Sequence, residues 1–239
     1  MATVYLDQAI RSIQTVTGTA SDFEYAASSC QGWRNTMEDV HLVIPNFEAD
    51  SSLFAVFDGH NGIEVASFCS KYLPDYILSN KKYQNGIDIV EGLKEAFMLL
   101  DNSILMKESM EELVEIRSKK HPELPLNSPG ITSGCTAVVC LLKKGLFYCA
   151  SIGDSRCVLC RSGQAFPLSV DNKPEEQGEE QRIVNAGGVV VQLSIALSHF
   201  YATFTLFFPV AVSTDKSTCL VHSVITCSRP IQACRPWSK

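Results

Sequence analysis

The chain shows two hydrophobic rhythms, and it changes from one to the other near residue 63. Before that point apolar residues come in short strand-like runs. Phe23–Ser29 alternates weakly, Val40–Ile44 is β-prone and is expected to stop at Pro45, and Ser52–Phe57 carries a continuous apolar run that leads into Asp58-Gly59-His60-Asn61-Gly62. A short apolar run bounded by glycines reads as a buried strand ending in a tight turn. From Ile63 the period lengthens. Val65, Phe68, Cys69, Tyr72, Leu73 and Tyr76 fall at helical spacing, and Ile87, Val90, Leu93, Phe97, Leu100, Ile104 and Leu105 predict a second amphipathic helix.

A short charged helix is expected over Glu111–Arg117. The polar stretch Ser118–Gly130, with Pro122, Pro125 and Pro129, reads as a surface loop. Gly134–Leu142 and Leu146–Ile152 are apolar runs joined by Lys143-Lys144-Gly145, which is a hairpin signal. A strand at Cys157–Cys160 and a turn at Arg161–Gln164 follow, and then a helix over Pro174–Ala186 that stops at Gly187-Gly188. Strands and helices come in blocks rather than in strict alternation. That pattern predicts an α+β layered fold with mostly antiparallel sheets.

Beyond Arg182 the character changes, because no charged residue occurs before Asp215. Leu193–Val212 is dense in Phe, Leu, Ala and Val and has the length of a bilayer span. Gln192, His199 and Pro209 argue against a membrane helix, which is kept as the alternative for this stretch.

The 239 residues suit one ordinary domain, or two at most. Hydrophobic residues make up 46% and charged residues 19%, the balance of a globular chain. A net charge of −6 argues against nonspecific binding to nucleic acid or to an anionic membrane. Ten cysteines are spread along the chain, and residues 1–19 have no apolar core of a secretory signal. Reduced thiols in the cytosol or nucleus are therefore expected. Cys157 and Cys160 have CxxC spacing but sit on a predicted strand, where positions three apart face opposite sides, so two packing thiols are expected.

The candidate chemistry lies at the end of the Ser52–Phe57 run. Asp58 is a hard oxygen ligand suited to Mg²⁺ or Mn²⁺. Gly59 permits close backbone approach, so that its carbonyl can also reach a cation. His60 titrates near neutrality and can donate a proton to a leaving group. A strand capped by an Asx turn, with a surface histidine, is the plainer reading of these residues taken alone.

Three stretches together resemble the PP2C (PPM) family of metal-dependent serine/threonine protein phosphatases. They are Gln31-Gly32-Trp33-Arg34 with Met37-Glu38-Asp39, Phe57-Asp58-Gly59-His60 with Gly62, and Gly153-Asp154-Ser155-Arg156. Gly134-Cys135-Thr136-Ala137 and Arg182-Ile183 through Gly187-Gly188 add to the likeness, and Cys69-Ser70-Lys71-Tyr72-Leu73-Pro74-Asp75 resembles the family's gamma-type branch. The resemblance implies a four-layer α-β-β-α sandwich over residues 23–191, with an N-terminal segment 1–22 and a divergent tail 192–239. It also implies roles by position. Glu38, Asp58 and the Gly59 carbonyl would hold one Mg²⁺ or Mn²⁺, with Asp58 bridging to a second. Asp154 would serve a weaker third ion and Asp39 would support the site. Arg34 would grip the substrate phosphate and His60 would act as general acid. Phosphoproteins are the implied substrates and a monomer the expected state.

The chain departs from the family pattern after residue 191. Asp215 is the only acid after Glu180, so the later carboxylates expected for the second ion are missing, and Asn172 stands where the family has histidine. The sandwich is therefore expected to be incomplete, with exposed apolar faces and open edges; the tail either covers part of the gap or is unstructured or aggregation-prone. Activity is expected to be reduced or absent. The alternatives are a phosphoprotein-binding pseudophosphatase and a membrane-tethered phosphatase fragment.

Overall fold

The computed structural model describes residues 5–20, 23–120, 133–190, 203–210 and 219–226, the last two as backbone strands. The two predicted rhythms become two sheets and a helical layer. β3 (Asp39–Glu48), β4 (Ser51–His60), β6 (Ala137–Lys143) and β7 (Leu146–Ile152) form an antiparallel meander in the order β3-β4-β6-β7, and the two-residue β5 (Gly134–Cys135) pairs with the end of β4. β4 is central and is buried from Ser51 to Gly59. Its continuous apolar run follows from burial on both faces. Leu53, Ala55 and Phe57 point into the helical core, while Phe54 and Val56 point toward the second sheet.

The helical core packs α1 (Glu64–Ser79), the short α2 (Lys81–Gln84), α3 (Ile89–Ile104) and α4 (Lys107–Lys120) against that sheet. α1 buries Val65, Phe68, Cys69 and Leu73, as its spacing predicts. α3 corrects its expected face. Asp88 caps it by accepting the Glu91 N–H at 2.9 Å, which starts the helix at Ile89 and turns Leu93, Ala96, Leu100 and Ile104 inward. Ile87, Val90 and Leu105 are left exposed. α4 is longer than the predicted Glu111–Arg117. α2 gave no periodic signal; Asn80 makes it by accepting the Lys82 and Tyr83 N–H groups.

The second sheet has the order β1-β2-β10-β11-β8-β9, from β1 (Tyr5–Thr19), β2 (Glu24–Arg34), β8 (Val158–Arg161), β9 (Gln164–Pro167), β10 (Thr203–Val210) and β11 (Cys219–Thr226). Its neighbours pair antiparallel. Residues 5–19 of the expected N-terminal segment are thus a strand of this sheet, and two pieces of the expected tail lie inside it between β2 and β8. Phe23, Tyr25 and Ala27 meet Phe54, Val56, Val138 and Cys140 between the sheets. The result is an α+β stack of helices, sheet and sheet. α5 (Gln177–Asn185) starts later than its predicted Pro174 and buries only Ile183. Ile10, Ile13 and Val16 of β1 remain exposed.

Local chemistry explains the turns. Lys144-Gly145 and Ser162-Gly163 have positive φ at both positions, the conformation that joins β6 to β7 and β8 to β9 without splaying the strands. β3 does not stop at Pro45. A register shift between Ile44 and Glu48 puts the proline at a bulge, where its missing N–H is not needed by the ladder. No described helix is long and apolar enough to cross a membrane, and the described part of Leu193–Val212 is strand β10. The sequence departure at 191–198 and most of the predicted loop at 118–130 lie outside the described residues.

Candidate active site

The sequence carries its acids to one end of the five-stranded sheet. Asp58 is near the end of β4 and Asp39 opens β3, and the two stand opposite each other in the antiparallel ladder. Glu38 immediately precedes β3. Its carbonyl accepts the Gly59 N–H at 3.2 Å, and its carboxylate accepts the Thr36 hydroxyl at 3.0 Å. A Cβ on Gly59 would lie 2.6 Å from that Glu38 carbonyl oxygen, so only glycine lets the two segments close.

β5 and the residue after it brace the same end. The Thr136 N–H donates to the Asp58 carbonyl at 2.8 Å. Its hydroxyl is hydrogen-bonded to Ser155, which ties Asp58 to the loop carrying Asp154. Gly134 faces His60 across the ladder, and a Cβ there would lie 2.6 Å from His60 Nε2. The imidazole therefore rests against a residue with no side chain.

Arg34 arrives from the other sheet, at the end of β2, where Gln31 Nε2 donates to the Arg34 and Asn35 carbonyls at 2.9 and 3.2 Å. Burial, the Asp58 charge and a hydrogen bond with Asp58 push the Asp39 carboxyl up to about 8, with Arg34 opposing. Burial holds His60 below the ordinary imidazole value, against the pull of Asp58 and Glu38. Burial and Asp58 raise Asp154. These couplings tie Arg34, Glu38, Asp39, Asp58, His60 and Asp154 into one electrostatic neighbourhood.

The donor set fits a hard divalent cation. Asp39 Oδ2 is buried without a hydrogen-bond partner, and Asp58 is only 7% exposed. Crowded carboxylates of this kind gain from a cation between or beside them. The four acids do not draw together as tightly as a preformed cage would require. Among the described residues the only close group of three metal-capable side chains is Cys140, Cys149 and Cys157. Mg²⁺ commonly keeps several waters, which suits a looser set of oxygens.

Sequence reading passed over several supporting residues. Arg156 grips Asp171 through two hydrogen bonds of 3.0 and 2.7 Å, and the Asn172 N–H reaches the Gly153 carbonyl at 2.8 Å, so this clamp closes the Asp154 loop. Burial would raise Asp171, but Arg156 outweighs it and holds the carboxyl below its usual value. Glu64, at the start of α1, is fully buried 3.2 Å from Arg117 of α4, whose other guanidinium nitrogen donates to the Asn61 carbonyl at 2.9 Å beside His60. In the sequence Arg117 is one more charge of a charged helix; the signal for its role is an arginine in a helix that follows a glutamate at the start of another.

A helical layer on two antiparallel sheets, with acids gathered at one sheet end, defines an α+β protein with a candidate site at that end, and comparison narrows it. The family model for protein phosphatase 2C matches residues 23–199. Protein phosphatase 2C 1 of Paramecium tetraurelia is 42% identical over 186 residues, covering 78% of this chain and 59% of that protein. The probable protein phosphatase 2C 21 of Arabidopsis thaliana is 36% identical over 201 residues, covering 72% of this chain and 56% of the relative. The crystal structure of serine-threonine phosphatase 2C from Toxoplasma gondii shares the fold with a TM-score of 0.56 at 21% identity, over 83% of this chain and 65% of that one. A sex-determining protein of C. elegans does so with a TM-score of 0.52 at 24% identity, over 77% and 40%. The chain belongs to the protein phosphatase 2C family, and it spans a little under three fifths of the length of these two sequence relatives.

Proposed function

We propose that this chain is a metal-dependent serine/threonine protein phosphatase of reduced activity, acting on phosphoserine and phosphothreonine in proteins. The observation that carries the reading is the opposition of Asp39 and Asp58 across β3 and β4, with Glu38 locked to Gly59 by a backbone hydrogen bond.

The Glu38 and Asp58 carboxylates and the Gly59 carbonyl would hold Mg²⁺ or Mn²⁺, and Asp154 a further ion. Bound there, the cation supplies the acidity that turns water into a nucleophile at neutral pH. Arg34 offers a planar fork that matches phosphate oxygens. His60, at the end of β4, would pass a proton to the leaving serine or threonine oxygen. Gly134 and Thr136 fix the imidazole and Asp58 in place. Asp39 would support the site from its place opposite Asp58. The only carboxylate after Glu180 is Asp215, so the second ion has few protein ligands, and a weakly held ion lowers turnover. The free thiols of the described side chains, Cys30 to Cys160, support a reducing compartment, cytosol or nucleus.

The test is release of phosphate from a phosphothreonine peptide with and without Mn²⁺. Hydrolysis that depends on Mn²⁺ is expected, below the rate of a full-length relative. Asp58→Ala should lower it by more than about 100-fold, since even changes outside the ligand set cost roughly 10–100-fold at metal sites. Mn²⁺-independent hydrolysis, or full activity in Asp58→Ala, would sink the proposal.

One observation favours a second reading. The acids do not form a close preformed group. A chain that binds phosphopeptide through Arg34 without turning it over would show affinity lost in Arg34→Ala and no phosphate release at any Mn²⁺ concentration.

A further inference from the structure

The space between the two sheets holds a second cluster of ligand-type side chains, distinct in position and chemistry from the acids. Cys140 on β6 and Cys149 on β7 stand directly opposite each other in their ladder. Cys157, just before β8, approaches from the other sheet, with its sulfur 3.5 Å from that of Cys140. All three sulfurs lie within 4.8 Å of one another. Cys140 and Cys157 are 3% and 0% exposed, and Cys149 is half-buried. Phe54, Val56 and Val138 surround them, and no carboxylate or imidazole joins the group among the described residues.

Sulfurs bound to one ion at ~2.3 Å stand about 3.4–4.0 Å apart, from pyramidal to planar geometry, so the observed spacing needs only side-chain adjustment. Three sulfur donors with no oxygen or nitrogen select a soft ion. The surroundings also select its charge. Hydrogen bonds with Cys149 and Cys157, then burial, push the Cys140 thiol well up. For Cys149 the hydrogen bond with Cys140 works the other way, but Cys157 and burial prevail and push it up to about 12. Cys140 and Cys149 are therefore held as neutral thiols. A divalent ion on three thiolates would leave a negative charge in apolar space and a fourth coordination position without a protein donor. A trivalent ion leaves neither.

We propose that Cys140, Cys149 and Cys157 form a three-thiol trap for a trivalent thiophilic ion of the arsenite class. The step balances without a redox partner. Arsenous acid, As(OH)₃, meets three thiols; three As–S bonds form and three As–O bonds break. Each thiol proton leaves with a hydroxide as water, and arsenic stays trivalent. Oxidation to a Cys140–Cys157 disulfide would instead need an oxidant and a thiolate, which this environment suppresses. Cys149 and Cys157 lie on either side of Asp154, so a bound ion fixes both ends of that loop and staples β7 to the strand of the opposite sheet. The inference stands apart from the phosphatase reading.

The experiment uses the full chain with sodium arsenite and a phosphine reductant. One arsenic per chain is expected, and X-ray absorption at the arsenic edge should show three sulfur neighbours in the unmodified protein. Cys140→Ala, Cys149→Ala and Cys157→Ala should each abolish tight retention. Retention should survive in the double variant Cys69→Ala/Cys135→Ala, in the single variants Cys30→Ala and Cys160→Ala, and in the triple variant Cys219→Ala/Cys227→Ala/Cys234→Ala. No bound arsenic, two or fewer sulfur neighbours, retention in all three cluster variants, or loss in any of the control variants would overturn the proposal. The absorption measurement decides the matter even if a cluster variant fails to fold.

Discussion

The five-stranded sheet takes all its strands from residues 39–152 and pairs most of them with a near neighbour in the chain, whereas the six-stranded sheet sets Thr203 against Cys30 and Cys219 against Arg161. The first sheet is covered by helices and carries the acids. The second receives its two middle strands from beyond residue 199, where the family match ends. One frame is thus the family's, with its chemistry at one end. The other is completed by residues that lie beyond the family match. The difference teaches that local pairing of β3 with β4 sets Asp39 against Asp58, while the bracing of that end by β5 and the closure of the sandwich depend on distant pairing.

The largest expected effect strikes the first frame. Arg117→Ala strips the partner from Glu64, which is fully buried, and should cost about 3–5 kcal/mol in urea unfolding. Glu64→Gln combined with Arg117→Met should recover a good part of that loss. No recovery would show that packing, rather than the stranded charge, holds α1 to α4.

Leu206→Pro acts on the second frame. It removes a backbone N–H from the middle of β10, which is paired with β2 on one side and β11 on the other, at about 3 kcal/mol. Hydrogen exchange should rise in β2, β8 and β11 while β4 and β6 keep their protection. Equal loss in both sheets would erase the distinction drawn between them.

Asp39→Asn tests the crowded acids. The folded carboxyl titrates near 8, above its ordinary 3.8, so its contribution is complete at acid pH and is lost as pH rises across that window. Without divalent ions the native chain should lose stability from about pH 4 to pH 8. The variant should show a flatter profile and be more stable by about 1–2 kcal/mol at pH 8, read from its melting temperature. An unchanged profile would mean that the two carboxyls do not interact. Tyr83→Phe is the smallest change. It removes the hydroxyl that donates to Glu48 at 2.6 Å from a fully buried ring, at about 1 kcal/mol by denaturant titration.

Much of the first frame was legible in the sequence. The run ending at Asp58 has the composition of a strand buried on both faces, and the stripe in α1 has one clear period. The grouping of Asp58 with Glu38 and Arg34 was legible only through motif resemblance, because antiparallel register, not spacing, brings residues 38 and 58 together. Thr136 and Asp171 escaped because their work is done by one hydroxyl, one N–H and one ion pair, none of which leaves a periodic trace. β1 escaped because Ile10, Ile13 and Val16 are exposed and break the alternation of a half-buried strand. The strand character of residues 203–210 was hidden by uniform hydrophobicity, which serves a helix or a strand equally well. Cys157 reads from the sequence as a packing thiol, because its partners Cys140 and Cys149 lie on the opposite sheet.

The place of β10 and β11 between β2 and β8 bears on biosynthesis. A ribosome releases β2 long before β10 and β11, the strands that stand between it and β8. Until then the hairpins β1–β2 and β8–β9 each carry an edge that nothing has claimed, and such edges recruit other chains. Closure over so long a sequence separation is intrinsically slow. Yield in a cell should therefore respond to chaperone supply more than the compact helical half alone would suggest.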